Sequence, residues 1–163
     1  DLVERIGVHV AAVLDSQPAS AFAKPAAERV GAILNSTPQA ARDKVLEGLD
    51  ARAAEFAKEV KRTIFSFVHI PLRLEPSDVP LVIQKIDANQ LTIALAAGLA
   101  ESPLSVEFLF ENMSKRLAEQ LRDDAEAAGT PKTDEGEMAM NTVISAIRDL
   151  EEAGEIKLIP PVD

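Results

Sequence analysis

The spacing of apolar residues along this chain predicts helices almost throughout. Val3, Ile6, Val10, Val13 and Leu14 recur at helical intervals and open the chain with an amphipathic helix. Gln17 to Lys24 reads as a linker, and Pro25 fits the first turn of a second helix with Val30, Ile33 and Leu34 inward. Thr37-Pro38 has the form of an N-cap followed by proline at N1. It opens a helix that carries Ala41, Val45 and Leu49 and ends near Gly48 or Asp50. A longer helix follows, with Ala53, Phe56, Ala57, Val60, Ile64 and Phe67 on its buried face. The pattern breaks between His69 and Glu75, around Pro71, which marks a boundary between two subdomains.

Beyond that break, Ser77 can cap a short helix carrying Val79, Val82, Ile83 and Ile86. Asp87 with Gln90 resembles a capping box for a helix lined by Leu91, Ala94 and Leu95 and ended by Gly98. Ser102-Pro103 opens another, with Val106, Leu109 and Phe110 inward. Ser114 caps a charged helix that ends by Gly129. Asp134 and Glu137 form a further capping-box candidate, before a helix burying Met140, Val143, Ile144, Ile147 and Leu150 and stopping at Gly154. The tail Ile156 to Ile159 is apolar and can dock in extended form. About eight short helices with short connections predict an all-α fold of stacked helices, as in armadillo arrays.

Composition narrows what such a fold can do. Aromatics are 4% of 163 residues, six Phe with no Trp or Tyr, which disfavours a base-stacking platform. Seventeen basic against 27 acidic residues leave a net charge of −10, so nucleic acid and anionic lipid are poor partners. There is no cysteine, which excludes disulfides, thiolate zinc sites and cysteine nucleophiles and is compatible with a reducing compartment. No apolar run is long enough to span a bilayer. The chain opens on Asp1 rather than Met, as a fragment of a longer protein would.

The stretch Asn112 to Arg116, followed by Arg122-Asp123-Asp124, carries the most chemistry. At about 100° per residue, Arg116, Gln120, Asp123, Asp124 and Ala127 share one face of a helix. Leu117, Leu121 and Ala125 lie elsewhere and can be buried. A packed back and a front of mixed charge suit contact with another charged surface. Catalysis is a poorer reading. His9 and His69 are sixty residues apart with no cysteine partner, Ser66 near His69 lacks any elbow signature, and no Gly-rich phosphate loop occurs. Acidic pairs such as Asp123/Asp124 and Glu151/Glu152 read as surface rather than as acid–base pairs. No cofactor and no metal site is expected.

The run from Phe65 to Ile156 resembles the C-terminal part of the bacterial flagellar motor switch family FliG. The resemblance rests on Ile64-Phe65-Ser66-Phe67, Ile86-Asp87, Leu91 to Leu95, Asn112 to Arg116, Arg122-Asp123-Asp124 and Arg148 to Ile156. Ala32 to Asn35 and Lys44 to Glu47 look like the family's preceding armadillo-like unit, and the opening helix like its connecting helix. The resemblance implies an armadillo-like right-handed superhelix divided into residues 1–22, a connecting helix and linker; 23–67, the armadillo-like unit; and 68–163, the charged-helix domain.

It implies a structural rotor component, not an enzyme, on the cytoplasmic face of the inner membrane in the flagellar basal body. It places stator-binding charges on Arg116, Asp123, Asp124 and Lys132, and a hinge on Ile64, Phe65 and Phe67. The implied partners are the cytoplasmic loop of the stator protein MotA, the switch protein FliM and neighbouring FliG subunits. The ring protein FliF would be reached through an N-terminal domain outside this chain. Three positions depart from the family: Ala96 replaces a lysine, the loop from Ala97 to Ser102 is slightly longer, and Pro25-Ala26 replaces a Gly-Gly step. A reading from another class is a cytoplasmic regulatory domain of a magnesium transporter, with a similar superhelical fold and an acidic surface.

Overall fold

The computed structural model describes residues 24–161, and the helix and linker expected before Lys24 lie outside them. Among the described residues the fold is all-α: α1 (Ala26–Asn35), α2 (Gln39–Arg52), α3 (Ala54–Thr63), α4 (Ile70–Arg73), α5 (Val79–Lys85), α6 (Ala88–Glu101), α7 (Pro103–Glu111), α8 (Lys115–Ala128) and α9 (Thr133–Glu152). Short 3-10 turns at Phe67–His69 and Pro76–Asp78 lead into α4 and α5.

Two apolar clusters organise these helices. The smaller joins Ala27 and Leu34 of α1 to Val60 and Ile64 at the end of α3, with Val30, Leu46, Leu49 and Phe56 half-covered around it. Gly31 sets how closely α1 and α3 approach, because a β-carbon there would collide with the Thr63 side chain. The larger cluster runs from Phe65 through α4 to α9 and on to Leu158, with Ile70, Val79, Val82, Ala94, Leu95, Val106 and Ile147 shut off from solvent. The antiparallel-hairpin logic of consecutive short helices packs α6 against both α8 and α9 at its centre.

Local signals set most of the boundaries. Asp87 Oδ1 accepts the N–H groups of Asn89 at 3.0 Å and Gln90 at 3.4 Å, so Asp87 caps α6, but the return bond from the Gln90 side chain that would complete a capping box is not formed. Gly154 takes φ 75°, and the Glu155 N–H reaches the Leu150 carbonyl at 2.9 Å, the closure that a left-handed residue permits after a helix. The tail then docks extended, with Ile156 and Leu158 buried and the Ile159 N–H bonded to the Arg73 carbonyl at 2.7 Å.

Elsewhere the structure departs from the expectations. Gly98 does not end a helix. It lies inside α6, where a β-carbon would come within 2.6 Å of Val106 Cγ2 and 2.8 Å of Phe67 Cε1, so it is a contact point for two other elements. The stretch expected as a loop from Ala97 is therefore helical to Glu101. Ala96 is buried in that helix rather than standing at its end. The helix holding Phe56 stops at Thr63, and Ile64 and Phe67 are buried from extended and 3-10 backbone instead. Thr37 does not cap α2; its hydroxyl donates back to the Ile33 carbonyl at 2.8 Å. No side chain caps α9, which begins at Thr133, ahead of the Asp134 and Glu137 pair. Ile33 is 68% exposed and Val45 43%, while Ala41 and Ala53 are also exposed, so the first two helices bury fewer residues than their periodicity suggests.

Candidate functional site

Two places stand out, a charged helix face and the junction between the clusters. In α8 the Ser114 hydroxyl accepts the Leu117 N–H at 3.3 Å, and Gly129 ends the helix with φ 68°. Leu121 and Ala125 are buried, and Leu117 and Ala118 are half-buried against the main core. This fixes the rotation of the helix about its axis. Arg116, Gln120, Asp123, Asp124 and Ala127 consequently all face solvent, as the spacing predicts. Asp123 and Asp124 stand about 10–12 Å along the axis from Arg116. Lys132, just before α9, is exposed beyond the far end of α8.

The order of charge along α8 works against the helix itself. Its first turn holds Lys115 and Arg116 and no acid, and its last turn holds Glu126 and no base. A helix macrodipole favours the reverse at both ends, by about 0.3–1 kcal/mol per charge. None of Arg116, Asp123, Asp124 and Lys132 forms an ion pair among the described residues. The adjacent Arg122 behaves differently. Its Nη2 reaches Glu107 Oε2 at 3.4 Å, and its guanidinium lies 4.9 Å from the centre of the Phe110 ring. Arg122 ties α8 to α7, a role its place in the sequence did not reveal.

At the junction the expected hinge residues divide between the clusters. Ile64 completes the smaller one, whereas Phe65 and Phe67 belong to the larger. Ile64 and Ser66 are extended, so very little chain separates the two. Two contacts clamp this crossing. The Phe65 N–H donates to Asn35 Oδ1 at 2.9 Å, and Arg148 Nη2 donates to the Thr63 carbonyl at 3.0 Å. Neither Asn35 nor Arg148 carries a sequence signal for this, since their partners are 30 and 85 residues away.

His69 sits beside the junction. Its Nδ1 accepts the Ser66 N–H at 3.1 Å and lies 3.0 Å from the Ser66 hydroxyl. Burial, then the positive charges of Arg73 and Arg42, hold its pKa below the ordinary 6.5. The pair closes a turn, and no third group orients it toward nucleophilic chemistry. No group of three or more His, Cys, Asp or Glu among the described residues could hold a metal ion. No described helix is long and apolar enough to cross a membrane.

Comparison with known proteins gives this arrangement a family. The flagellar motor switch protein FliG of Thermotoga maritima is 36% identical over 124 residues, covering 76% of this chain and 36% of that protein. That of Bacillus subtilis is 28% identical over 149 residues, covering 88% of this chain and 43% of the relative. The chain thus spans roughly two fifths of the length of these curated relatives. A crystal structure of FliG residues 86–343 from H. pylori covers 93% of this chain and 68% of its own, at TM-score 0.59 and 21% identity, a likeness of fold. These likenesses do not favour the magnesium-transporter reading. The family profile for the FliG C-terminal domain matches residues 47–158, more than half of the sequence, and this chain belongs to that family.

Proposed function

We propose that this chain is the torque-bearing and switching part of a flagellar rotor, working on the cytoplasmic face of the inner membrane as a structural element with no chemistry of its own. In this reading Arg116, Asp123, Asp124 and Lys132 meet the charged cytoplasmic loop of the stator protein MotA. The observation that carries it is the exposed row on α8: buried Leu121 and Ala125 hold Arg116, Asp123 and Asp124 out to solvent, and none of the three forms an ion pair among the described residues. Charges held out without partners in the fold are suited to a surface outside the chain. Exposed ion pairs are each worth only about 0.2–1 kcal/mol, so contacts form and release as a rotor passes.

Residues 68–163 act as the torque domain and 23–67 as an armadillo-like unit joined to it. Ile64, Phe65 and Phe67 serve as the hinge at which the two reorient when rotation reverses, and the division of these side chains between two clusters supports this role. FliM, neighbouring FliG subunits and, through a further domain, FliF complete the rotor assembly.

The test is the double charge reversal Asp123→Lys with Asp124→Lys in the full-length protein. Swimming in soft agar is expected to fail, while the thermal unfolding midpoint of the purified fragment stays within a few degrees of wild type. Normal swimming by the double variant would overturn the stator assignment.

A further inference from the structure

His69 stands beside the crossing between the two clusters. On the side of the larger unit it closes the turn that follows the hinge residues. Its Nδ1 accepts the Ser66 N–H at 3.1 Å and lies 3.0 Å from the Ser66 hydroxyl, while the Ser66 carbonyl accepts the His69 N–H at 2.9 Å. Nδ1 accepts only while it carries no proton, so the contact with the Ser66 amide belongs to the neutral ring. Towards the smaller unit the ring lines a groove whose other wall holds Lys58, Lys61 and Arg62 of α3.

Charged groups surround this turn from several elements. Arg73 of α4 shares the ring's wall of the groove, and Glu151 and Arg148 of α9 act on Arg73 with opposite effects. Arg42 of α2 acts on the ring from the smaller unit. Its guanidinium is bonded to the carbonyls of Leu34 and Thr37, neutral groups that leave its charge in place. Lys61 is offset by Asp50. A second groove, lined by Ser66 and Val68, holds Glu101 of α6 and Glu137 of α9. Packed against the turn, α7 carries Glu107, which is paired with Arg122, and Glu111. Burial, then Arg73 and Arg42, weigh most on the ring, and all three oppose a charge there.

A proton on Nδ1 changes two things at once. The Ser66 hydroxyl can still accept from the ring, but the Ser66 N–H loses its acceptor, because two donors then face each other. A positive ring on the larger unit also meets the charge of Arg42 on the smaller one, a like-charge repulsion that acts across the junction. Both changes loosen the same crossing. We propose that His69 is a pH-sensitive catch on the junction, its neutral form holding the two units in the orientation described above and its protonated form releasing them to reorient. This role rests on the hinge reading of Ile64, Phe65 and Phe67, to which His69 adds the group whose charge biases it.

Glu47→Cys in α2 and Glu126→Cys in α8 place spin labels on exposed sites of the two units, in a chain with no other cysteine. Distances between the labels are measured by pulsed electron–electron resonance, and the His69 ring is titrated by NMR, from about pH 7.5 down to about pH 5.0. As the pH falls, a second distance is expected to gain population by about fivefold or more, reversibly and in step with the ring. His69→Asn, which keeps an acceptor without titrating in this range, is expected to hold one distance throughout. His9 is present in both proteins and cannot account for a difference between them. An unchanged distance once the ring is charged, a ring still neutral at the lowest pH, or an equal response in His69→Asn would each overturn the proposal. So would loss of helical circular dichroism over the same range, which would mean unfolding and not reorientation. Arg148→Ala removes the bond to the Thr63 carbonyl and probes the hinge without His69. If it populates the second distance at the starting pH and acid does not, the hinge stands and His69 does not bias it. If neither moves the labels, the hinge reading falls as well.

Discussion

The unit formed by α1 to α3 and the unit formed by α4 to α9 are built from the same kind of short helix but hold together differently. The second wraps α6 with α8, α9 and neighbouring elements, so its apolar faces have partners within the chain. The first has three helices around five buried apolar residues, Ala27, Leu34, Ala57, Val60 and Ile64, and α2 buries none of its own side chains fully. A unit of three short helices, at about 40 residues, is marginal in covering a core by itself. The difference lies in the interior and not on the surface: one unit closes a core around α6 and the other is a thin layer, yet Leu104 and Met138 of the larger unit are as open to solvent as Ile33 of the smaller.

The contrast predicts unequal responses to truncation. Ile147→Ala, at a fully buried site, is expected to cost about 2–5 kcal/mol of unfolding free energy. Val45→Ala is expected to change it by no more than about 0.5 kcal/mol. Urea titrations followed by circular dichroism check both, and equal losses would erase the distinction.

A second comparison uses one substitution in the two units. Gly98→Ala forces a methyl against Val106 and Phe67 and is expected to destabilise by about 1–3 kcal/mol. Gly48→Ala meets nothing within 4 Å in α2 and is expected to stabilise by about 0.5–1 kcal/mol through helix propensity. The same titrations should therefore give opposite signs.

The smallest effect lies at the junction. His69 has a folded-state pKa below 6.5, so the unfolded chain binds its proton more readily. The stability this contributes is complete above pH 6.5 and is lost as pH falls from there through the folded-state value. His69→Asn keeps an acceptor near Nδ1 without titrating in this range. Stability measured between about pH 7.5 and 5.5 should fall more steeply for wild type than for this variant.

What was legible in the sequence was what neighbours in sequence decide. Asp87, Ser114 and Gly154 act on backbone groups a few residues away, and their roles could be read directly. The exposed row on α8 followed from helical spacing alone. Gly98 looks like a helix end in the sequence because the neighbours that require it, Phe67 and Val106, are brought in by the fold. Ile33 reads as inward but is exposed, because periodicity finds an apolar face without showing whether anything covers it. Asn35 at the junction gave no signal, being defined by a single distant amide.

Arg122 gives the charged helix a mechanical character. Pinned to Glu107 and stacked on Phe110, it acts as a strut between α8 and the helix behind it. Under the proposed stator contact, a sideways pull on Asp123 or Asp124 would pass through this strut into the body of the domain rather than twist one helix in place, with Arg122 transmitting what its two neighbours receive.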